Sequence, residues 1–339
     1  MPNSDHIEAV LSKFPADCES HKIESLGSAG GFSGAHFWQV IAPRGTLCLR
    51  RWPKPHPTMT KLKFIHGLLQ HVEKQGFGKV PVPIQTQALS GASYIQHAGY
   101  LWELAPWLPG SANYADFPSV ERLQEAMQAL ARFHLAAINF PGHASPVGPA
   151  PAILQRLGLI DRWRAGERQR LSLQIDQQDS TAATSLRELS KEILVAFDLH
   201  VPKIAKELIL SAEQVVPIQP CIRDIWQQHV LFQGEQVSGI VDFGAARPDT
   251  ISTDIARLLG SMAADKTSDW QIGLEAYTQI RPLAQSELFL LGPLDRSASL
   301  LSGLNWLHWI YLENRSFDDI ERVELRLAAI FQRLQKMRE

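Results

Sequence analysis

The segment QPCIRDIWQQHVLFQGEQVSGIVDFG, residues 219–244, constrains this chain more than any other. It carries one acid in a loop, Asp224, then two short β-prone runs, then a second acid, Asp242, followed by Phe243 and Gly244. Val230–Phe232 and Val237–Val241 are apolar, and Gln233, Gly234 and Glu235 form the turn between them. A hairpin holds its two ends close together. The pattern therefore predicts Asp224 and Asp242 on one side of a small sheet. Phosphoryl transfer needs that pairing: one carboxylate orients and deprotonates an acceptor hydroxyl, the other holds magnesium on a nucleotide. Each acid also has a plainer reading, Asp224 as a turn former and Asp242 as the end of a strand.

The chain is long enough, at 339 residues, for two lobes and a sizeable core. Its 33 basic and 35 acidic side chains leave a formal net charge of −2, which gives no electrostatic reason to expect nucleic acid or an anionic membrane as partner. Cys18, Cys48 and Cys221 are widely spaced and odd in number, so neither a disulfide framework nor a zinc pattern is expected. MPNSDHIEAVLSKF at the start is polar where a signal peptide needs an apolar stretch, and no run is apolar enough to span a bilayer. The expectation is a soluble cytoplasmic protein of open oligomeric state.

The first hundred or so residues read as β-rich. Strands are expected at 22–26, 35–41 and 46–52, a helix at 61–75, and a further strand region opening at Val80–Ile84. A strand pair at 92–96 and 100–104 surrounds His97, Ala98 and Gly99. After Gly110 the period becomes helical. Ser119 is positioned to cap a helix running to about Ile138, with His134 on its apolar stripe. Further helices are expected near 152–170, 184–197, 203–211, 253–264, 298–313 and 318–337. This gives an α+β chain: a β-rich lobe, residues 1–108, and a mostly helical lobe, 109–339, that carries the hairpin.

Gly27 to Gly34, GSAGGFSG, joins two of the expected strands. Glycines let backbone amides approach phosphate oxygens, and a strand–loop–strand setting is unlike a Walker loop, which opens a helix. On the strand that follows, Cys48 and Arg50 share a face by alternation. Taken alone, Arg50 and Arg51 also fit a solvated edge strand.

With these motifs the chain resembles the aminoglycoside phosphotransferase and choline kinase-like family, a branch of the protein-kinase-like, bilobal fold. The resemblance covers most of the chain and is weakest over residues 142–214. It implies that Asp224 is the catalytic base and that Asp242, in Asp-Phe-Gly, holds the metal. It implies that Gly30, Gly31, Ser33 and Gly34 cover the phosphates, that Cys48 lies against the adenine and that Arg50 binds the phosphates. Leu104 and Trp107 fall in the hinge whose backbone meets the adenine edge. The implied cofactors are ATP and Mg2+, with Mn2+ as an alternative. The implied partners are the nucleotide and an unidentified small-molecule acceptor. Asp254 matches an aspartate that braces the catalytic loop, and Trp306 or Trp309 falls among helices that frame an acceptor pocket, although core packing also accounts for both rings.

The chain departs from the family pattern at several points. His229 stands where the family has a metal-binding Asn, five residues after Asp224, which makes it an unusual second metal ligand; Gln227 or Gln228 could also supply a carbonyl. Arg223 replaces Gly, Ile222 replaces His, and residues 54–72 lack the helix Glu that pairs with the cation. Two readings follow: an ATP-dependent small-molecule phosphotransferase, or a catalytically silent pseudokinase that binds nucleotide or a protein partner. Kinase activity on peptides fits less well, because no Ala-Pro-Glu segment follows Gly244.

Overall fold

The computed structural model describes residues 4–28, 34–88, 91–141, 146–177, 184–315, 317 and 319–337. The first elements are α1 (Ser4–Leu11), β1 (Lys22–Gly27), β2 (His36–Ala42), β3 (Gly45–Arg51), α2 (Met59–Lys74), β4 (Ile95–His97), β5 (Tyr100–Pro106) and α3 (Val120–Ala137). Next come β6 (Val147–Gly148), α4 (Pro151–Arg162), α5 (Arg168–Gln177), α6 (Thr184–Ala212), β7 (Val216–Pro217) and β8 (Gln219–Cys221). The hairpin strands are β9 (Val230–Gln233) and β10 (Gln236–Ile240). They are followed by β11 (Arg247–Asp249), α7 (Ser252–Met262), α8 (Thr267–Thr278), α9 (Gln285–Tyr311) and α10 (Ile320–Lys336).

By packing, the chain divides into two compact units: Met1–Gly142 with Asp224–Arg247, and His143–Arg223 with Pro248–Glu339. This partition differs from the expected break after Leu108, because α3 and the hairpin fall with the sheet.

In the first unit an antiparallel sheet runs in the order β1-β2-β3-β5-β4. Alternation decides what each face does. Trp38, Val40, Leu47, Leu49, Trp102 and Leu104 turn to one side and form a buried cluster with Ile7, Val10 and Leu11 of α1. The Trp38 and Trp102 rings stack there at 5.4 Å. Cys48 and Arg50 of β3 face the other way, opposite Ala105 and Glu103 of β5. The segment expected to open a strand at Val80 forms no ladder. Its prolines remove donors, and Ile84 alone donates to Leu104 O at 2.8 Å.

Two caps fix the helices of this unit. Thr58 accepts from Lys61 N at 3.2 Å to start α2, and Ser119 accepts from Arg122 N at 3.1 Å to start α3, as its sequence pattern predicts. Ser119 also donates to Glu235 at 2.6 Å, and Arg122 donates to Gly234 O at 2.8 Å. The hairpin turn is thereby tied to the first turn of α3. The hairpin pairs Val237 with Phe232 and Ile240 with Val230.

The second unit is mainly helical. α6 is one helix where the sequence suggests two; Pro202 lies inside it, and buried Phe197, Val201, Ile204 and Leu208 keep a continuous packed face. That burial outweighs the hydrogen bond a proline cannot make. The opposite happens in 152–170, where Gly166 at φ 144° breaks the expected helix into α4 and α5. α1, α8 and the first half of α9 carry no expectation from the sequence. Among the described residues no helix is long and apolar enough to cross a membrane.

A polar network in this unit holds the residues that lead into Asp224. Asp254, fully buried in the first turn of α7, accepts from Ile222 N at 2.7 Å and Arg223 N at 2.6 Å. Arg223 sits at φ 73°, a left-handed conformation that costs a side-chain-bearing residue roughly 1–2 kcal/mol. Its guanidinium pairs with the fully buried Asp249 and reaches Gln155 Oε1 at 2.8 Å. Asp249 in turn accepts from Ala152 N at the start of α4 and from Thr250 N. Burial pushes the Asp249 carboxyl up, against the pull of Arg223 and these two N–H groups. Removing one partner of a buried pair strands the other, so Arg223→Ala is expected to cost about 3–5 kcal/mol in urea unfolding. Adding Asp249→Asn should recover part of that loss; a single-variant cost below about 1 kcal/mol would place the pair among surface-like bridges.

Candidate active site

Arg50 is the centre of the site. Its side chain is 10% exposed and its guanidinium lies over the Trp52 ring, 3.3 Å from the centroid, with Phe37 at 5.0 Å. Such stacking holds a planar cation in one orientation. Arg50 Nη2 donates to Asp242 Oδ1 at 3.3 Å. Its Nε–H is buried with no acceptor among the described residues. A buried cationic donor of that kind fits a phosphate oxygen.

Asp242 follows β10 at φ 61°. The packing around it penalises its charge, but Arg50 and the Gly244 N–H hold the carboxyl below its ordinary value. Oδ1 faces Arg50, yet the side chain is still 43% exposed, and an ionised carboxylate offers the hard oxygen donors that magnesium prefers. A Cβ at Gly244 would fit tightly, 3.3 Å from the Trp52 ring and 3.4 Å from Asp242 Oδ1. Phe243 is buried, 5.6 Å from the Phe133 ring of α3.

Asp224 is exposed. Its backbone carbonyl lies 2.9 Å from His229 Nδ1. The indole N–H of Trp226 donates to His229 Nε2 at 2.8 Å. A carbonyl can only accept and an indole can only donate, so the ring is neutral with its proton on Nδ1. His229 Nε2 comes within 3.7 Å of Asp242 Oδ2, and Val241 N donates to His229 O at 2.9 Å. His229, expected as a second metal ligand, therefore stands differently here. Its one ring lone pair accepts from Trp226 and its Nδ1–H donates to the Asp224 carbonyl, so the ring bridges those two groups.

The remaining expected residues separate. Gly30, Gly31 and Ser33 lie outside the described residues; Gly34 is present at φ 76° beside Pro53. Cys48 lies on the Arg50 face, and burial, then Glu103, push its thiol up to about 12. At Leu104 the backbone is already engaged. Its side chain is in the α1-side core and its carbonyl is taken by Ile84, so on the Arg50 face the strand offers Ala105, opposite Cys48. Trp107 is 39% exposed, and its N–H is bound to Thr46 O. In the second unit Trp306 is buried and packs edge-on against Trp309 at 5.2 Å, which is core packing.

Sequence reasoning missed Trp52, Glu103 and His66. Trp52 Nε1 and His66 Nε2 both donate to Glu103 Oε2, at 2.9 Å and 2.7 Å. His66 Nδ1 lies 2.7 Å from the Ser93 hydroxyl. Burial opposes the Glu103 charge, and His66, Arg50 and Trp52 overcome it, keeping the carboxyl below its ordinary value. The signal for Trp52 was available, since it shares a strand face with Arg50. The other two are cross-strand and helix–strand neighbours that spacing cannot reveal.

The family model described as "Phosphotransferase enzyme family" matches residues 28–288. The chain belongs to that family. It is thus a small-molecule kinase by family, with a mixed α+β, protein-kinase-like fold. It is 26% identical over 291 residues to a homoserine kinase of Beijerinckia indica subsp. indica, covering 83% of this chain and 80% of that one. An aminoglycoside phosphotransferase structure from Alicyclobacillus acidocaldarius superposes with a TM-score of 0.61 at 18% identity, over 97% of this chain and 92% of that one. An amicoumacin kinase bound to AMP-PNP, Ca2+ and amicoumacin superposes with 0.63 at 13% identity, over 99% and 94%. At those identities the structures show the shared fold alone.

If His229 positions the Asp224 loop rather than binding metal, His229→Ala should lower kcat by about ten- to a hundredfold. The magnesium concentration for half-maximal rate should stay within about twofold, since no ligand is lost. A severalfold rise in that concentration with kcat preserved would restore the ligand assignment.

Proposed function

We propose that this phosphotransferase moves the γ-phosphate of ATP to a hydroxyl group of a small molecule. The observation that carries the reading is the Arg50–Asp242 pair, an oriented guanidinium whose buried Nε–H has no acceptor among the described residues, beside an ionised, partly exposed carboxylate. In this reading Arg50 holds phosphate oxygens, Gly30, Gly31, Ser33 and Gly34 cover them, and Cys48, Ala105 and Trp107 border the adenine. Asp242 holds the divalent ion, magnesium in preference to manganese because its donors are hard oxygens. Magnesium supplies positive charge that offsets the charge developing on the transferring phosphoryl group. Asp224 orients the acceptor hydroxyl and takes its proton as the oxygen attacks phosphorus. Residues 1–108 act as the nucleotide-binding part and the rest supply the base and the acceptor side. The relatives named homoserine kinase favour a hydroxyl-bearing amino acid as the acceptor class.

Substitution separates the two carboxylates. Asp242→Asn should abolish the magnesium-dependent part of ATP binding. Asp224→Asn should leave ATP binding within about threefold of wild type and lower turnover by at least about a hundredfold, the scale of a lost general base. Calorimetry with and without magnesium, paired with ADP release, reads both effects. Equal weakening of ATP by both substitutions would show that the roles are misassigned.

A further inference from the structure

Glu103 has no part in the reading above, yet its setting is costly. An ionised carboxylate, 14% exposed, sits directly across from Arg50 in the β3–β5 register. Burying such a charge is unfavourable unless donors and cations surround it. Here one oxygen takes both the Trp52 indole N–H and the His66 N–H. Trp52 is the ring on which the Arg50 guanidinium rests. A carboxylate accepting the indole proton locks the ring plane and makes its face more electron-rich, which strengthens the hold on the cation. His66, 3% exposed on α2, carries the same anchor into the helix. The connection runs without a gap from Ser93 through His66, Glu103 and Trp52 to Arg50 and Asp242.

We propose that Glu103, with Trp52 and His66, is a positioning residue for the nucleotide phosphates. It fixes the plane of Arg50 from the neighbouring strand, and α2 joins that device through an imidazole in place of a carboxylate of its own. The inference rests on the proposed phosphate role of Arg50.

The test compares MgATP with adenosine, which shares the base and sugar and has no phosphate. Glu103→Gln should weaken MgATP by about tenfold, the scale of a lost hydrogen bond to a charged group, and leave adenosine within twofold. Trp52→Phe, which keeps a ring but removes the donor, should act in the same direction and serves if Glu103→Gln fails to fold. In an Arg50→Ala background Glu103→Gln should change MgATP affinity no further, because coupled residues are not additive. Equal weakening of MgATP and adenosine would make Glu103 a general support of the pocket and overturn the proposal. So would unchanged MgATP affinity in both variants, or full additivity with Arg50→Ala. Should Arg50→Ala alone leave MgATP affinity unchanged, or wild-type protein bind neither ligand, the phosphate role of Arg50 fails first and this inference falls with it.

Discussion

The Arg50 guanidinium, stacked on Trp52 and paired with Asp242, is the contact on which the rest of the first unit depends. Three separate pieces of chain must be in place for it to form. The β3–β5 register sets Arg50 opposite Glu103. The hairpin must end where Asp242 reaches the guanidinium, and its turn is pinned to α3 by Ser119 and Arg122. Gly244, with no Cβ, lets the Trp52 ring lie close without a tight contact. A shift of β3 by one residue would move Arg50 into the α1-side core and bring Leu49 to the site, so the apolar pattern of the sheet and the chemistry of the site enforce one register.

Arg223, His229 and the missing helix acid, three of the departures from the family pattern, each have a built partner or substitute. Arg223, in a backbone conformation that favours glycine, uses its side chain to neutralise the buried Asp249, while Asp254 fixes its amide. His229 bridges Trp226 and the Asp224 carbonyl. The acid absent from residues 54–72 is matched by Glu103 on β5, joined to α2 by His66. Random loss of function would leave such groups unpaired in a buried setting, at a cost of several kcal/mol in a fold whose net stability is about 5–15 kcal/mol.

Local rules made much of this legible in the sequence. Alternation on β3 put Cys48 and Arg50 on one face, and apolar runs around Gly234 marked the hairpin. Ser119 marked the start of α3. What escaped was long-range. Glu103 and His66 meet because a helix packs on a strand, and no spacing in the sequence encodes that contact. His229 was read from the family position alone; its tautomer follows only from the two partners the fold supplies. Leu104 was assigned by its backbone's place in the hinge, and no local spacing shows that its carbonyl accepts from Ile84 N. Local rules also failed at Pro202 and Gly166, where packing overrode a breaker in one helix and a positive φ ended another.

Phosphorus NMR of a reaction holding ATP, magnesium and hydroxyl-bearing amino acids, homoserine first, addresses the central claim most directly. The account predicts a new phosphomonoester resonance that grows in step with ADP. ATP and magnesium that stay unchanged beside every hydroxyl acceptor, or ADP that appears with inorganic phosphate alone, would contradict it.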